Sequence, residues 1–94
     1  MTVKIFIKRK VQHTHAAELA LLLTKLRALA LSQPGYISGE TLHRIDKKDE
    51  CMVIGTWHSL EDWNRWVNNP QRIEVQGEID KLLGEETEYA VYSS

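Results

Sequence analysis

Three tryptophans stand close together in this chain, at Trp57, Trp63 and Trp66, and the sequence contains no others. An indole ring has a broad apolar face and one N–H donor, so it can fill a core, cover an interface or wall a pocket for a flat ligand. On a helical wheel Trp66 lies at the rim of an apolar face, with Asp62 on the polar flank and Asn64 at the opposite rim. A rim tryptophan beside polar groups suits a site that holds an aromatic ring by stacking. These last three residues are candidate substrate-binding residues.

The three tryptophans have different predicted roles. Trp63 lies in the middle of the apolar helix face and is predicted to anchor that helix in the core. Trp57 ends a predicted strand, where a position in the core or in a dimer interface is favoured over contact with a ligand. For Trp66, a pocket wall and a plain core position are both open.

Proton transfer needs a base, and an imidazole can take up a proton near neutral pH. His43 and His58 are the candidates on predicted strands, and His43 is the candidate catalytic residue. An ordinary hydrogen-bonded histidine is the alternative at both positions. The hydroxyl of Tyr36 can donate a hydrogen bond to an oxyanion, so Tyr36 joins the candidate substrate-binding residues, with a structural role as the alternative.

Other patterns favour structural roles. His13 and His15 would lie on one side of a strand, but no cluster of carboxylates or cysteines completes a metal-ligand set, so no metal is predicted. Cys51 is the only cysteine, cannot form an internal disulfide, and is predicted to be a small core residue. The charge run from Lys8 to Lys10 is predicted to be a solvated strand end.

Length and charge exclude several classes of protein. With 94 residues the chain is predicted to form one domain, residues 1–94. A net charge of -1 gives no electrostatic reason to bind nucleic acid or an acidic membrane. Lys4 interrupts the apolar N-terminal run, which predicts a strand rather than a signal peptide, and no segment approaches about 18 apolar residues. A cytoplasmic location is expected.

Hydrophobic periodicity predicts the elements that position these residues. Period-two alternation and helical stripes give an order β-α-β-β-α-β with the second helix broken in two. The predicted elements are a strand at residues 2–10, a helix from about Thr14 to Leu31, strands at residues 36–46 and 51–58, a helix capped by Ser59, a helix from Pro70 to Gly84 and a strand at residues 86–92.

This order predicts a ferredoxin-like α+β fold with a four-stranded antiparallel sheet and helices on one face. The other face would leave Phe6 and Leu42 exposed with a row of the third strand. Because an apolar sheet face usually finds a partner, we expect a homodimer in which the two sheets pack together.

Three segments of the chain resemble the antibiotic biosynthesis monooxygenase domain family, a group of dimeric α+β barrels. They are QPGYISGETLHR (residues 33–44), VIGTWHSLEDWNRWVNNPQ (residues 53–71) and EYAVY (residues 88–92). The resemblance implies a homodimer and a cavity between each sheet and its own helices. For activity the resemblance implies oxidation of polycyclic phenols or quinols by dioxygen without metal or flavin, or haem binding and degradation, or no established reaction, as in many members of the family.

Comparison at individual residues distinguishes the polyketide-oxidising branch of the family from the haem-degrading branch. Trp66 matches a helix tryptophan found in both, whereas Asp62 stands where the polyketide-oxidising branch has an asparagine. Lys8 replaces a first-strand asparagine of the haem-degrading branch, and residues 67–79 contain no histidine where that branch has its haem ligand. These departures argue against the usual haem-degrading site.

The sequence therefore predicts a cofactor-independent monooxygenase that acts with dioxygen on a small aromatic substrate, a phenol, quinol or polyketide-like compound, with no cofactor. The alternative is a non-catalytic dimeric module that binds a small hydrophobic or aromatic ligand. A haem-binding or haem-degrading protein is less favoured.

Overall fold

A computed structural model describes residues 1–94. Its four strands form one antiparallel sheet in the order β2-β3-β1-β4, and this confirms the predicted ferredoxin-like arrangement. None of the helices has both the length and the apolar character needed to cross a bilayer. The elements are β1 (Val3–Lys10), a 3-10 turn (His13–His15), α1 (Ala16–Leu31), β2 (Tyr36–His43), β3 (Glu50–Trp57), α2 (Leu60–Val67), α3 (Pro70–Leu83) and β4 (Tyr89–Ser93).

Two strand ends differ from the prediction by three residues, the others by one at most, and side-chain hydrogen bonds lie at both of these ends. β2 ends at His43: the backbone N–H of Arg44 still donates to the Glu50 carbonyl at 3.0 Å, and its Nε binds the Asp46 carboxylate at 2.6 Å in the turn that follows. β4 begins only at Tyr89 because the backbone N–H and the hydroxyl of Thr87 both donate to Asp80 on α3. Hydrogen bonds of polar side chains therefore mark the points where strand pairing stops.

One face of the sheet carries the core. Val3 and Ile5 of β1 are almost fully buried, and the register places Val3 opposite Trp57 of β3. A buried cluster joins these residues to the helices. Its members are Val3, Ile5, Ala30, Trp57, Trp63 and Trp66. Burying a large apolar side chain contributes about 1.5–3 kcal/mol, so this cluster is a main source of stability.

The long helix follows its predicted stripe. Leu19 and Ala30 of α1 are buried, whereas Leu21 and Leu31, which lie off the stripe, are exposed. Leu19 packs with Val75 and Ile79 of α3 in a second cluster, and Ile79 is fully buried there. The two helices thereby lie side by side on the sheet, as period-3.6 stripes require.

Helix caps fix the position of α2, which carries Trp63 and Trp66 and which we call the tryptophan helix. The Ser59 hydroxyl oxygen accepts from the backbone N–H of Asp62 at 3.1 Å, which confirms Ser59 as the N-cap of α2. Asn69 caps α3 in the same way, and Gly84 ends it in a left-handed conformation. Because both ends of the α2–α3 unit are fixed, Trp63 and Trp66 project at defined points of the sheet.

No helix covers the other face of the sheet. Phe6 of β1 packs edge-on against Tyr92 of β4, with ring centroids 5.2 Å apart. Leu42, Met52 and Ile54 continue this face across β2 and β3, and Leu42 is 46% exposed. We call these five residues the open face.

A buried carboxylate holds the β2–β3 connection together. Glu50 is only 7% exposed, and its carboxylate accepts from Nη1 of Arg44 at 2.6 Å and lies 3.3 Å from Nζ of Lys8. The hydrogen bond from Arg44 holds the pKa of Glu50 below its ordinary value, with Lys8 acting in the same direction. The ionised form is therefore the one that the fold favours.

Glu50→Gln is expected to lower the free energy of unfolding at pH 7. Because the folded pKa of Glu50 is lowered, its contribution is present above the unfolded value of about 4.3 and is lost as the pH falls through the folded value. Urea unfolding at pH 7 and pH 3 measures this, and the difference from wild type should shrink at pH 3. Glu61→Gln, at an exposed ion pair with Arg65, is the control. An equal loss at both pH values would contradict the assignment.

Candidate functional site

A cavity of about 110 Å³ lies between α1 and the sheet, beside β2. Its floor is bare because Gly39 of β2 and Gly55 of β3 are paired directly opposite each other, next to Ile5 of β1. Two adjacent residues without side chains leave a gap below the helix. A glycine inside a strand often marks a place where another group approaches the backbone closely. A glycine within each of two predicted strands is the signal that the sequence contains for the cavity, although only the register shows that the two glycines meet.

The inner wall of the cavity is aromatic. Trp57 stacks on Trp66 with ring centroids 5.9 Å apart and an interplanar angle of 27°. It also meets Trp63 and Tyr36 edge-on, at 6.0 Å and 5.2 Å. All four rings line the cavity. Trp66 is only 5% exposed, so it belongs to the core and to the wall at once, and the two roles open to it from sequence do not exclude each other.

Trp57 and Tyr36 meet over the glycine floor. Trp57 lies on the helix side of the sheet, away from the open face, so a dimer interface through that face does not include it. The hydroxyl of Tyr36 lies over Gly39, where an added Cβ would come within 2.6 Å of it. The phenolic O–H therefore covers the Gly39 part of the floor, in reach of a ligand that lies beside it.

A second cavity of about 430 Å³ continues the first toward the β2–β3 turn. Leu23 and Thr41 line both cavities. His43 lines only the second, two residues beyond Thr41 and therefore about 7 Å further along β2. Ligand pockets usually span about 300–1,000 Å³, so the second cavity reaches that class by itself, whereas the first reaches it only as part of one trough with the second.

The trough is narrowed by a contact between its two walls. Nη2 of Arg27 on α1 lies 3.5 Å from the hydroxyl oxygen of Thr41 on β2. The Arg27 side chain is exposed, so this contact is weak and can open. Arg27 and Thr41 therefore stand where a long ligand would pass from one cavity to the other.

Arg9 is the cavity residue that sequence reasoning missed. The run from Lys8 to Lys10 was predicted to be solvated, and this is wrong for Arg9, which is only 3% exposed. The reason is the strand period: Arg9 has the same parity as Ile5 and Ile7 and so points to the helix side. Burial lowers the pKa of Arg9 from its usual value. Alternation alone could have placed it correctly.

The sequence model of the antibiotic biosynthesis monooxygenase family matches residues 2–77 of the chain. The chain belongs to this family. The resemblance identified from the sequence is thereby confirmed. A comparison with curated proteins finds no match.

Solved structures share the fold over nearly the whole chain. A conserved protein from Methanosarcina mazei Go1 superimposes with a TM-score of 0.90 at 16% identity, over 100% of this chain and 93% of that one. A mutant of SnoaB, a cofactor-independent oxygenase from Streptomyces nogalater, gives a TM-score of 0.87 at 18% identity, over 99% and 92%. At these identities the likeness establishes the fold.

In this antibiotic biosynthesis monooxygenase family member, Asp62 stabilises the first turn of α2, the helix that carries Trp66. Its carboxylate accepts from the Ser59 hydroxyl at 2.9 Å and from Nη1 of Arg65 at 3.0 Å, and it packs against Gly35. Asp62 does not line either cavity. Asn64 is exposed and also lies outside both, with its backbone carbonyl accepting from the side chain of Asn68.

Cys51, His13 and His15 lie in surroundings that favour structural roles over catalysis or metal binding. Cys51 pairs with His43 across the β2–β3 ladder and is buried, and this burial raises the pKa of the Cys51 thiol. A thiol with a raised pKa is a poor nucleophile. His13 and His15 lie in a 3-10 turn rather than a strand, so they do not share one side. No three side chains of histidine, cysteine, aspartate or glutamate gather where they could hold a metal ion.

Proposed function

We propose that this protein is a cofactor-independent monooxygenase that oxidises a small aromatic phenol or quinol with dioxygen in the trough between α1 and the sheet. The observation that carries the proposal is the cavity itself: a flat apolar space walled by Trp57, Trp63, Trp66 and Tyr36. Membership of the family supports the same reaction class, as does the fold shared with SnoaB, itself a cofactor-independent oxygenase.

The chemistry asks little of the protein. A hydroquinone loses a phenolic proton and, with dioxygen, is converted to a hydroxyquinone and water, the oxygen entering at a ring C–H. An anthrone-type phenol, which has an activated CH2 group, loses a proton to a base, and the resulting anion supplies electrons to dioxygen. The CH2 group becomes a carbonyl, one oxygen atom entering the product and the other leaving as water. The protein must hold the ring, accept the proton and stabilise the anion.

The residues of the trough divide these tasks. The indole of Trp66 stacks on one face of the substrate ring. The hydroxyl of Tyr36 donates a hydrogen bond to the developing oxyanion above Gly39. His43 accepts the proton from the second cavity, which a polycyclic substrate reaches by passing Leu23 and Thr41. Asp62 positions the helix that carries Trp66.

Oxygen-dependent turnover tests the proposal. A panel of hydroquinones and anthrones is assayed with and without oxygen, and product is expected only with oxygen. His43→Gln should lower kcat by about 100-fold or more, as loss of a general base does. Trp66→Phe should lower kcat/KM by about threefold to tenfold, as loss of part of a stacking surface does.

His58→Gln is the matched control for these assays, because His58 is exposed and lines neither cavity. It should leave turnover unchanged. If no member of the panel yields an oxygen-dependent product, or if His43→Gln behaves like His58→Gln, the proposed reaction or its base is wrong.

A second candidate function follows from the wall of the first cavity, which contains no histidine and no carboxylate. A non-catalytic module that binds a small aromatic ligand needs no such base. Saturable quenching of tryptophan fluorescence by an aromatic ligand, without turnover at any oxygen level, would favour this function over catalysis.

We further propose that the protein is a homodimer in which two open faces pack together. Phe6, Leu42, Met52, Ile54 and Tyr92 form an apolar surface of the kind that a second copy covers. Light scattering at micromolar concentration measures the mass directly. A monomer under those conditions would contradict the proposal.

A further inference from the structure

Arg9 is a buried charge without a partner. Its side chain makes no hydrogen bond and no salt bridge, and its Nε is the one buried side-chain nitrogen or oxygen in the chain that has no hydrogen-bond partner. An arginine cannot relieve this by losing its proton, because the guanidinium stays charged in proteins. Buried polar groups without partners are rare and indicate a missing water, ion or ligand.

The nearest acidic groups do not neutralise Arg9. Burial raises the pKa of both Tyr89 and Cys51, so these two groups carry no negative charge near neutral pH, and Asp80 acts on Arg9 only through its electrostatic field. The Asp80 oxygen Oδ1 already accepts from Gln76 at 2.9 Å and from the Thr87 hydroxyl at 2.6 Å. The hydroxyl of Tyr89 accepts from Arg72, whose guanidinium also lies over the Tyr89 ring. The Asp80 oxygen Oδ1 and the Tyr89 hydroxyl are therefore already engaged by residues of α3 and by Thr87, and neither group forms a hydrogen bond or salt bridge with Arg9.

Arg72 provides the contrast. It is also buried and lacks a carboxylate partner, but it donates to the backbone carbonyl of Val67 at 3.2 Å and to Tyr89. It links α2, α3 and β4, and it does not line the cavity. Arg72 is thus a structural arginine, whereas Arg9 faces the cavity with its donors unused.

We infer that Arg9 is an anion-binding residue of the cavity, and that the cavity takes an aromatic ligand carrying an anionic oxygen group. The fork of N–H donors on a guanidinium matches a carboxylate or an ionised phenol, and the bond is charge-assisted in an apolar surrounding. The ring lies on the glycine floor against the aromatic wall while the anionic oxygen meets Arg9.

This inference deepens the proposed function, because it names the charge of the substrate that the same site would hold. A ligand bound in this way supplies the negative charge that no side chain of the protein provides next to Arg9. An unpaired buried charge disfavours the folded state, so the arrangement is understandable where stability is given up for binding.

The test compares probes of one shape and different charge. Benzoate and benzamide are titrated into the full chain by isothermal calorimetry, with ionised 4-nitrophenol as a second anion. Wild type should bind benzoate about 10- to 100-fold more tightly than benzamide, as charge-assisted hydrogen bonds do. Arg9→Met should abolish this preference and leave benzamide binding unchanged.

Thermal unfolding separates binding from structure. Arg9→Met should unfold at the same temperature as wild type or higher, because it removes an unpaired buried charge. Arg72→Met should unfold at a lower temperature and keep the preference for benzoate. A structural arginine at position 9 would give the opposite result, with a lower unfolding temperature for Arg9→Met.

Several outcomes would overturn the inference. They are equal binding of benzamide and both anions by wild type, no binding of any of the three, survival of the preference for an anion in Arg9→Met, and its loss in Arg27→Met, the matched variant of the other arginine that lines the cavity. The proposed reaction can fail independently of this inference. If the preference for anions depends on Arg9 but no oxygen-dependent product forms, the inference stands and the proposed reaction is wrong. If neutral phenols are turned over and Arg9→Met does not alter this turnover, the proposed reaction stands and the inference is wrong. If only 4-nitrophenolate shows the preference, the anionic group is a phenolate.

Discussion

Replacing Trp57 with alanine is expected to lower the free energy of unfolding by about 3–5 kcal/mol, the usual cost of removing a buried tryptophan. Trp57 is only 2% exposed and contacts Tyr36, Trp63 and Trp66 at once. Its loss would join the existing cavity to a new one and remove the aromatic contact of Tyr36 and Trp66, while Trp63 would keep its contact with Tyr89. No nearby side chain is placed to refill the space.

Urea unfolding of wild type and Trp57→Ala measures this, at one protein concentration because association would add to stability. Leu31→Ala is the control, since Leu31 is 67% exposed and should cost little. If Trp57→Ala costs about as little as Leu31→Ala, the ring is not the centre of the core.

Gly35→Ala is expected to be the most costly glycine substitution in the chain. Gly35 has a φ of 85°, a left-handed conformation that costs other residues about 1–2 kcal/mol. An added Cβ would also lie 2.3 Å from Cγ of Asp62. Forcing atoms into such a space typically costs a further 1–3 kcal/mol, roughly. Asp62 would have to move, and with it the cap that fixes the tryptophan helix.

Gly84→Ala is a matched control for this substitution. Gly84 has a similar φ of 74°, but no atom lies within 4 Å of its added Cβ. The difference between the two variants in urea unfolding therefore reports the clash with Asp62 alone. Equal losses would show that Asp62 moves aside freely, and then Gly35 would have no role in positioning α2.

The elements were predictable because their signals are local. The apolar stripe of α1, the cap at Ser59 and the stop at Gly84 depend on residues a few positions apart, and each was read correctly from the sequence. The ends of β2 and β4 were not, because they depend on which carboxylate the side chains of Arg44 and Thr87 reach.

The candidate site was predictable only in part, because a cavity is a property of register. Trp66 and Tyr36 were identified from the sequence and line the cavity, whereas Asn64 lies outside it. Predicting the floor of the cavity requires the knowledge that Gly39 pairs with Gly55, and these two residues are far apart in the chain. Nothing in a window around either glycine reveals its partner.

The glycine floor also bears on how such a site can diversify. Gly55 has no left-handed backbone conformation to protect, and a Cβ there would meet only the indole nitrogen of Trp57, at an ordinary 3.8 Å. A single methyl group at this position would therefore make the pocket shallower without disturbing the strands around it. At Gly55, therefore, the depth of the pocket can change while the fold stays fixed, whereas at Trp57 and Trp66, which serve both the core and the cavity wall, it cannot.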